Sequence, residues 1–331
     1  MPPPKVTIHN VAREAGVSIA TVSRYLTKAS SIKEPNRIKV EKAIKKLNYK
    51  PLLYARRLAG GKLNVYGLII PGYEGIFYSF YALEIIRGVG FGLEEINVDL
   101  HLHIFSNKDR FNTSLVDGVI FADIIGNENQ LKRILKEGLP CVVANKRIDD
   151  LAVSYVATDN FKGAYQAVEF LTSHGHKNIA HLAGDLKVQS AQDRLEGYKS
   201  ALTKNNIKVS DNNIKFSNFS RIEARQHIEE LFSSSQPPTA VFAASDEMAV
   251  EVLNFAQNEK ISVPEKLSVV GFDDNPLCMY GNIHLTTVRQ PLFQMASLGI
   301  EILKNIIEKK EKIRKVVLSP ELVVRDSVTF I

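Results

Sequence analysis

Cysteine is nearly missing from this chain, occurring in 331 residues only as Cys141 and Cys278. Both sit in apolar surroundings far apart in sequence, which excludes a disulfide framework or a cysteine-held metal and leaves two reduced, buried thiols without a functional role. Long apolar runs are missing too: none approaches the roughly 18 residues needed to cross a bilayer. The start, Met1-Pro2-Pro3-Pro4-Lys5, leads into an amphipathic helix with no apolar signal core, so a cytoplasmic protein is expected. The third scarcity is local. Residues 1–62 hold only 3 Asp and Glu against 14 Lys and Arg, a charge of +11, whereas the remaining 269 hold 33 against 28, a charge of −5. One end of the chain is built to meet a polyanion.

Within that end, Val6 to Arg24 reads as two short helices joined by a tight turn, a shape that fits the major groove of DNA. Ile8, Val11, Ala12 and Ala15 follow helical spacing, Thr7 caps the start, and Gly16 takes the left-handed turn that ends the helix. Ser18 caps a second helix running to about Leu26. A third has Pro35 in its first turn, Val40, Ala43, Ile44 and Leu47 on one face, and Lys39, Lys42, Lys45 and Lys46 over the rest. Three helices sharing one small core make a DNA-binding headpiece, residues 1–48. Residues 49–62 then run from Lys50-Pro51 through one helical stretch to Gly60-Gly61, a hinge helix and linker.

From Val65 the texture changes. Apolar runs of strand length, Val65–Ile70, Leu100–Phe105, Gly118–Phe121, Cys141–Ala144, Ile179–Ala183, Ala240–Ala244 and Leu267–Gly271, are separated by longer amphipathic stretches. Strands alternating with helices predict parallel sheets covered on both faces, an α/β core over 63–331. Only ten residues, Ser106 to Leu115, separate the second and third runs, where a parallel crossover normally needs a dozen or more including a helix. That crossover helix is therefore expected to be missing or reduced to about one turn, with a neighbouring segment or a partner chain covering the sheet.

The headpiece, the hinge pattern from Tyr49 to Leu58 (Tyr-x-Pro-x-x-x-Ala-Arg-x-Leu) and four later phrases resemble the lactose-repressor/galactose-repressor family of bacterial transcription regulators over essentially the whole chain. The phrases are Ser190–Tyr198, Pro238–Phe242, Ser268–Asp274 and Leu285–Pro291. The resemblance implies a helix-turn-helix headpiece and two tandem parallel-sheet subdomains like those of periplasmic binding proteins. These would span about 63–158 with 290–319, and about 159–289 with 320–331, and the chain would cross between them near Thr158, Arg289 and Ser319. It further implies a cytoplasmic bacterial homodimer, on the nucleoid when bound to a pseudo-palindromic double-stranded operator, most simply a repressor of sugar-utilisation genes controlled by a sugar or sugar derivative. Leu52 departs from the family's usual Asn at the start of the hinge helix and removes a capping side chain.

Carried onto this sequence, Ile19 and Ala20 face base edges, where they can meet a thymine methyl, and Arg24 is the base reader whose fork matches guanine. Thr7, Thr21, Ser23, Tyr25 and Asn36 are placed to reach phosphates, with Ser18 beside them; some of these only cap helices. Leu58 is the minor-groove wedge, flanked by Tyr54, Ala55, Arg56 and Arg57. In the cleft, Arg194 and Asp273 are a donor and an acceptor suited to sugar hydroxyls or a purine edge, with Ser190 in the same loop, Phe219 as an apolar wall, and Asn145 and Lys146 after the fourth strand. Asp246 either contacts the effector or caps the helix it begins. Tyr81 is the contact from the first subdomain. Val188, where some purine-binding members have arginine, weighs against a purine; Lys146 and Lys187 hint at a phosphorylated or acidic sugar. A salt bridge of Arg194 with Asp193 or Asp273, without ligand, is the plain alternative.

Other signals lead nowhere functional. Gly88-Val89-Gly90-Phe91-Gly92 lacks the strand–loop–helix setting of a nucleotide site and suits close helix packing. His101 and His103 share a strand face and His174, His176 and His181 cluster, yet no ligand set of metal spacing is completed. Without a nucleophile elbow, a phosphate loop or a spaced acid pair, neither an enzyme nor a cofactor is expected. A solute-binding protein without a regulatory role would share the cleft but not the basic headpiece. A global regulator docking a phosphorylated carrier protein as co-effector stays open.

Overall fold

A computed structural model describes residues 6–27, 32–49, 62–72, 76–106 and 108–331. Three helices open the chain: α1 (Ile8–Ala15), α2 (Ile19–Thr27) and α3 (Glu34–Leu47). Asn10 Oδ1 accepts from the Thr7 N–H at 2.9 Å and from its hydroxyl at 2.6 Å, fixing the first turn of α1. Gly16, at φ 63°, ends it. Val11, Val22 and Val40 are completely buried, so each helix gives one valine to a core that none could bury alone. Tyr49, the first hinge residue, closes that core; Tyr54, Ala55, Arg57 and Leu58 lie outside the described residues.

Two six-stranded sheets follow. The first is built from β1 (Val65–Pro71), β2 (Asp99–Phe105), β3 (Gly118–Ala122), β4 (Cys141–Ala144), β5 (Ser154–Thr158) and β11 (Lys315–Leu318), in the order β11-β5-β4-β3-β1-β2, all parallel. The second contains β6 (Ile179–Ala183), β7 (Ile214–Phe216), β8 (Ala240–Ala243), β9 (Ser268–Asp273), β10 (Thr286–Arg289) and β12 (Glu321–Val323), in the order β12-β10-β9-β8-β6-β7, with only β12 antiparallel. The chain passes between the sheets after Thr158, after Arg289 and after Leu318. Burial explains the composition. β1, β3, β4, β5, β6 and β8 are buried along their whole length, as strands covered on both faces must be.

Helices α4 (Phe80–Glu94) and α10 (Leu292–Ile307) cover one face of the first sheet, and α5 (Glu128–Lys136) lies on the other. Helices α6 (Asn160–Ser173) and α7 (Gln189–Lys204) cover one face of the second sheet, α8 (Arg221–Phe232) and α9 (Asp246–Asn258) the other. Gly88 and Gly92 let α4 lie directly against Phe293, Ala296 and Ile300 of α10. The crossover from β2 to β3 carries no α-helix among its described residues, only a 3-10 turn at Thr113–Leu115. Its cover is Phe111, 4% exposed, whose ring edge would stand 2.7 Å from a methyl group on Gly67. His101 and His103 pack against the same ring, at 5.8 and 5.4 Å between centroids. Arg133 of α5 pins the segment through Asp109 at 2.5 Å and the Phe111 carbonyl at 3.1 Å. The cover expected from a neighbouring segment or a partner chain comes instead from Phe111 of the connection itself.

Candidate functional site

On the headpiece, Ile19 is 42% exposed, and Ala20 and Arg24 are exposed beside it. Ser18 caps α2 by accepting from the Thr21 N–H at 3.2 Å, and its hydroxyl is bonded to that of Thr21 at 2.9 Å. Arg24 Nε donates back to the Ala20 carbonyl at 3.3 Å, which holds the guanidinium along the α2 surface. Ser23, Tyr25 and Asn36 are half-buried, and Tyr25 packs on the headpiece core. Lys39, Lys42 and Lys45 line the exposed side of α3, while Lys46 pairs with Glu14 at 2.6 Å and ties α3 to α1.

In the core, the carboxyl ends of the parallel strands of both sheets collect the polar residues, as open α/β sheets do at their ligand crevices. From the second sheet, Arg194 of α7 is 4% exposed. Its Nε donates to Asn160 Oδ1 at 2.9 Å and its Nη1 to the Ala244 carbonyl at 2.5 Å, its guanidinium lies 3.8 Å above the Phe272 ring, and Asp273 is 3.9 Å away. Burial lowers its affinity for a proton, which Asp273 opposes. Burial in turn pushes the Asp273 carboxyl up to about 7 against the pull of Arg194. Asp273 and Asp274 both have positive φ, 131° and 58°, so the backbone is strained where that carboxylate is presented. Gln290 Nε2 holds Asp273 Oδ1 at 2.6 Å.

Asp246 neither caps α9 nor lies open. Ser245 is the cap, accepting from the Met248 N–H at 3.4 Å, and Asp246, fully buried, accepts from the Asn275 N–H at 2.7 Å and from the Thr287 hydroxyl at 2.5 Å. A short side chain one position inside the helix points at β9 and β10 rather than at its own first turn. Ser190 is buried in the first turn of α7, and Phe219, at φ 59°, lays its ring on Gly184. Arg194 pairs with Asp273, whereas Asp193 pairs with Arg147.

From the first sheet, Asn145 (φ 66°, 8% exposed) donates through Nδ2 to Asp123 Oδ2 at 3.2 Å. Asp123, 4% exposed, also accepts from the Ile124 N–H at 2.6 Å, and burial pushes its carboxyl up to about 6. Lys146 Nζ donates to the Ile124 carbonyl at 2.9 Å with Glu128 at 3.9 Å, so that ammonium is already engaged. Tyr81 sits half-buried in the first turn of α4. The two halves are joined directly: Arg147 Nη2 makes two bonds to Asp193, at 2.8 and 2.9 Å, and Arg147 and Gln189 exchange backbone–side chain bonds at 2.8 and 3.2 Å. A cavity of about 570 Å³ borders Asp273, Gln290, Phe80 and Glu84, but not Arg194, Ser190, Asn145 or Phe219.

Sequence reasoning missed Asp123, Arg147 and Gln290. The signal for Asp123 was a polar residue directly after an apolar strand; nothing local marks Gln290, which follows Arg289 of the mixed strand β10, or Arg147, whose partner is 46 residues away. Among the described residues no helix is long and apolar enough to cross a membrane, and no group of His, Cys, Asp and Glu is arranged to hold a metal ion. Both cysteines are free and buried.

A headpiece with an exposed reading helix, followed by two parallel sheets with facing strand ends, defines a regulator that couples DNA binding to a cleft. Residues 7–51 match the lacI family of bacterial regulatory proteins, and residues 168–328 match the periplasmic binding protein-like domain. Catabolite control protein A of Priestia megaterium is 33% identical over 318 residues, covering 92% of this chain and 93% of that one. The probable HTH-type transcriptional repressor ExuR of Bacillus subtilis (strain 168) is 33% identical over 331 residues, covering 98% of each. The solved complex of the transcriptional regulator CelR with cellobiose aligns with 98% of this chain and 100% of its own, at TM-score 0.73 and 27% identity. The chain belongs to the LacI family and is a DNA-binding transcription regulator.

Proposed function

We propose that this regulator represses sugar-utilisation genes as a homodimer on a pseudo-palindromic operator, and that a sugar or sugar derivative in the cleft sets its affinity for DNA. The observation that carries the reading is the pair of the buried Arg194 and the half-buried Asp273, 3.9 Å apart at the strand ends of the second sheet, with Asp193, next to Arg194, bonded to Arg147 beside the first sheet. A donor and an acceptor held there can grip hydroxyls, and a ligand that prefers one arrangement of the two halves shifts the headpieces with them. CelR, a relative in fold and sequence, was solved with cellobiose.

In the headpiece, Ile19, Ala20 and Arg24 read bases, and Thr7, Ser18, Thr21, Ser23, Tyr25 and Asn36 hold phosphates. Leu58 is the wedge, with Tyr54, Ala55 and Arg57 around it. Binding-site selection with the purified chain, followed by titration of the selected duplex with and without sugars, tests the whole reading. An inverted repeat should emerge, and Arg24→Ala should cost about 1–3 kcal/mol and relax one base of each half-site. Selection without sequence preference, or a preference that Arg24→Ala leaves untouched, would remove this assignment.

A further inference from the structure

The shortened connection between β2 and β3 ends on a residue that holds the entry of the core. Residues 50–62 join the headpiece to the first sheet, and the chain enters that sheet through Leu63 and Asn64, just before β1. Asp117, directly before β3, receives both. Its Oδ1 accepts from the Leu63 N–H at 3.0 Å and its Oδ2 from the Asn64 N–H at 2.7 Å, from 54 and 53 residues away. Its own N–H donates to the Val65 carbonyl at 2.8 Å, and the Asn64 carbonyl accepts from the Asp99 N–H at 2.9 Å. The Leu63 side chain, 5% exposed, belongs to one apolar cluster with Phe111 and Val116 of the connection.

β1 pairs with β2 from Val65 onward and with β3 from Tyr66 onward, so Leu63 and Asn64 precede the ladder and one carboxylate serves their N–H groups instead. A carboxylate that takes one N–H on each oxygen fixes direction as well as position. The Leu63 N–H is part of the planar peptide that begins at the carbonyl of residue 62. Asp117 therefore orients the last peptide of the joining segment, and Asn64, at φ 58°, turns the chain into β1. The stretch that carries Asp117 is the one that stands in for a helix, seated by the Phe111 ring over Gly67 and pinned to α5 through Asp109 and Arg133. A dimer that reads an inverted repeat depends on the distance between its headpieces, and that distance depends on how each chain leaves its core.

We propose that Asp117 is a positioning residue for DNA binding: acting through Leu63 and Asn64, it sets the direction in which the joining segment leaves the core and so the half-site spacing that the dimer accepts. The proposal rests on the reading of a homodimer on a pseudo-palindromic operator. Its test is titration of the full chain, at one salt concentration, against the selected operator and against versions with one or two base pairs added or removed at the centre. The unmodified chain should discriminate against altered spacings by about 100-fold, and Asp117→Ala should cut this to about tenfold or less while affinity for random DNA stays within about twofold. Asp117→Asn, which keeps one acceptor, should fall between the two. Ser154→Ala serves as the control: Ser154 Oγ accepts from the Arg314 N–H at 2.9 Å toward the opposite edge of the same sheet, and its loss should lower stability without changing the discrimination. Hydrogen exchange of the unmodified chain needs no variant, and the Leu63 and Asn64 amides should exchange about 100-fold more slowly than in a free peptide, or slower still. Discrimination kept by Asp117→Ala, an equal loss in Ser154→Ala, or unprotected amides at Leu63 and Asn64 overturns the proposal and leaves the dimeric reading standing. An unmodified chain indifferent to spacing overturns that reading and the proposal with it.

Discussion

The two sheets repeat one strand order, each running from an edge strand contributed late in the chain to the second strand of its own unit, yet they are covered differently at one place. In the second sheet the step from β7 to β8 carries α8, whose Ala224, Ile228 and Leu231 are buried on the sheet. The same step in the first sheet, from β2 to β3, spans twelve residues and buries one aromatic, Phe111. Strand order survives the exchange because it is set by hydrogen bonding and by the apolar strands themselves, whereas the cover only has to exclude water from the face. A large ring over a glycine does so locally, where Gly67 leaves room for it.

The sharpest way to break this comparison is Phe111→Ala. Its ring is the large side chain that fills the space over Gly67, beside Val116 and the α5 residues Leu131 and Ile134, so a loss of about 3–5 kcal/mol is expected in urea unfolding. A loss below about 1 kcal/mol would mean that the segment does not replace a helix.

The strand ends differ as well. Asp273 has Arg194 at 3.9 Å, whereas Asp123 is bonded to an amide, Asn145, and to the Ile124 N–H. With burial pushing its carboxyl from an ordinary 3.8 to about 6, Asp123 binds its proton more tightly folded than unfolded. Its contribution to stability is complete below pH 3.8 and is lost as the pH rises through about 6. Asp123→Asn should therefore gain on the unmodified chain by about 1–3 kcal/mol in going from pH 4 to pH 8, measured by denaturant titration at both. A difference independent of pH would place the carboxylate in water.

Arg147 and Asp193 join the halves across the cleft. Arg147→Ala and Asp193→Ala, singly and together, should show a coupling of about 1–2 kcal/mol in the ligand-induced change of operator affinity. Additive effects would show that the bridge plays no part in closure. The smallest effect belongs to Arg133→Ala. Its pair with Asp109 is partly exposed, 35% and 29%, so a stability change of about 1 kcal/mol or less is expected, with faster hydrogen exchange confined to residues 108–117.

The regulator class was legible in the sequence because it rests on local patterns. Helix spacing, Gly16, Ser18 and the charge of residues 1–62 need no tertiary contact to be read, and the seven apolar runs all became strands. Five other strands, β5, β7, β10, β11 and β12, were not read. β7 and β12 are three residues each, β11 alternates exposed and half-buried residues, and β5 and β10 mix Ser, Thr or Arg with their apolar residues, so none stands out as a run. Arg194 and Asp273 were found from a resemblance, whereas their chemistry was not readable: that Arg194 is buried over Phe272 and bonded to Ala244, 50 residues away, is a property of three elements brought together.

The sequence by itself determined that a basic three-helix headpiece precedes an α/β core with one shortened crossover, because periodicity, capping and charge act within a few residues. Only the tertiary structure decided that Phe111 fills the missing helix, that Ser245 rather than Asp246 caps α9, and that Asn145 is bonded to Asp123 and Gln290 to Asp273. Those outcomes depend on which strand ends adjoin and on how deeply each carboxyl is removed from water, and both are fixed by contacts between residues far apart in the chain.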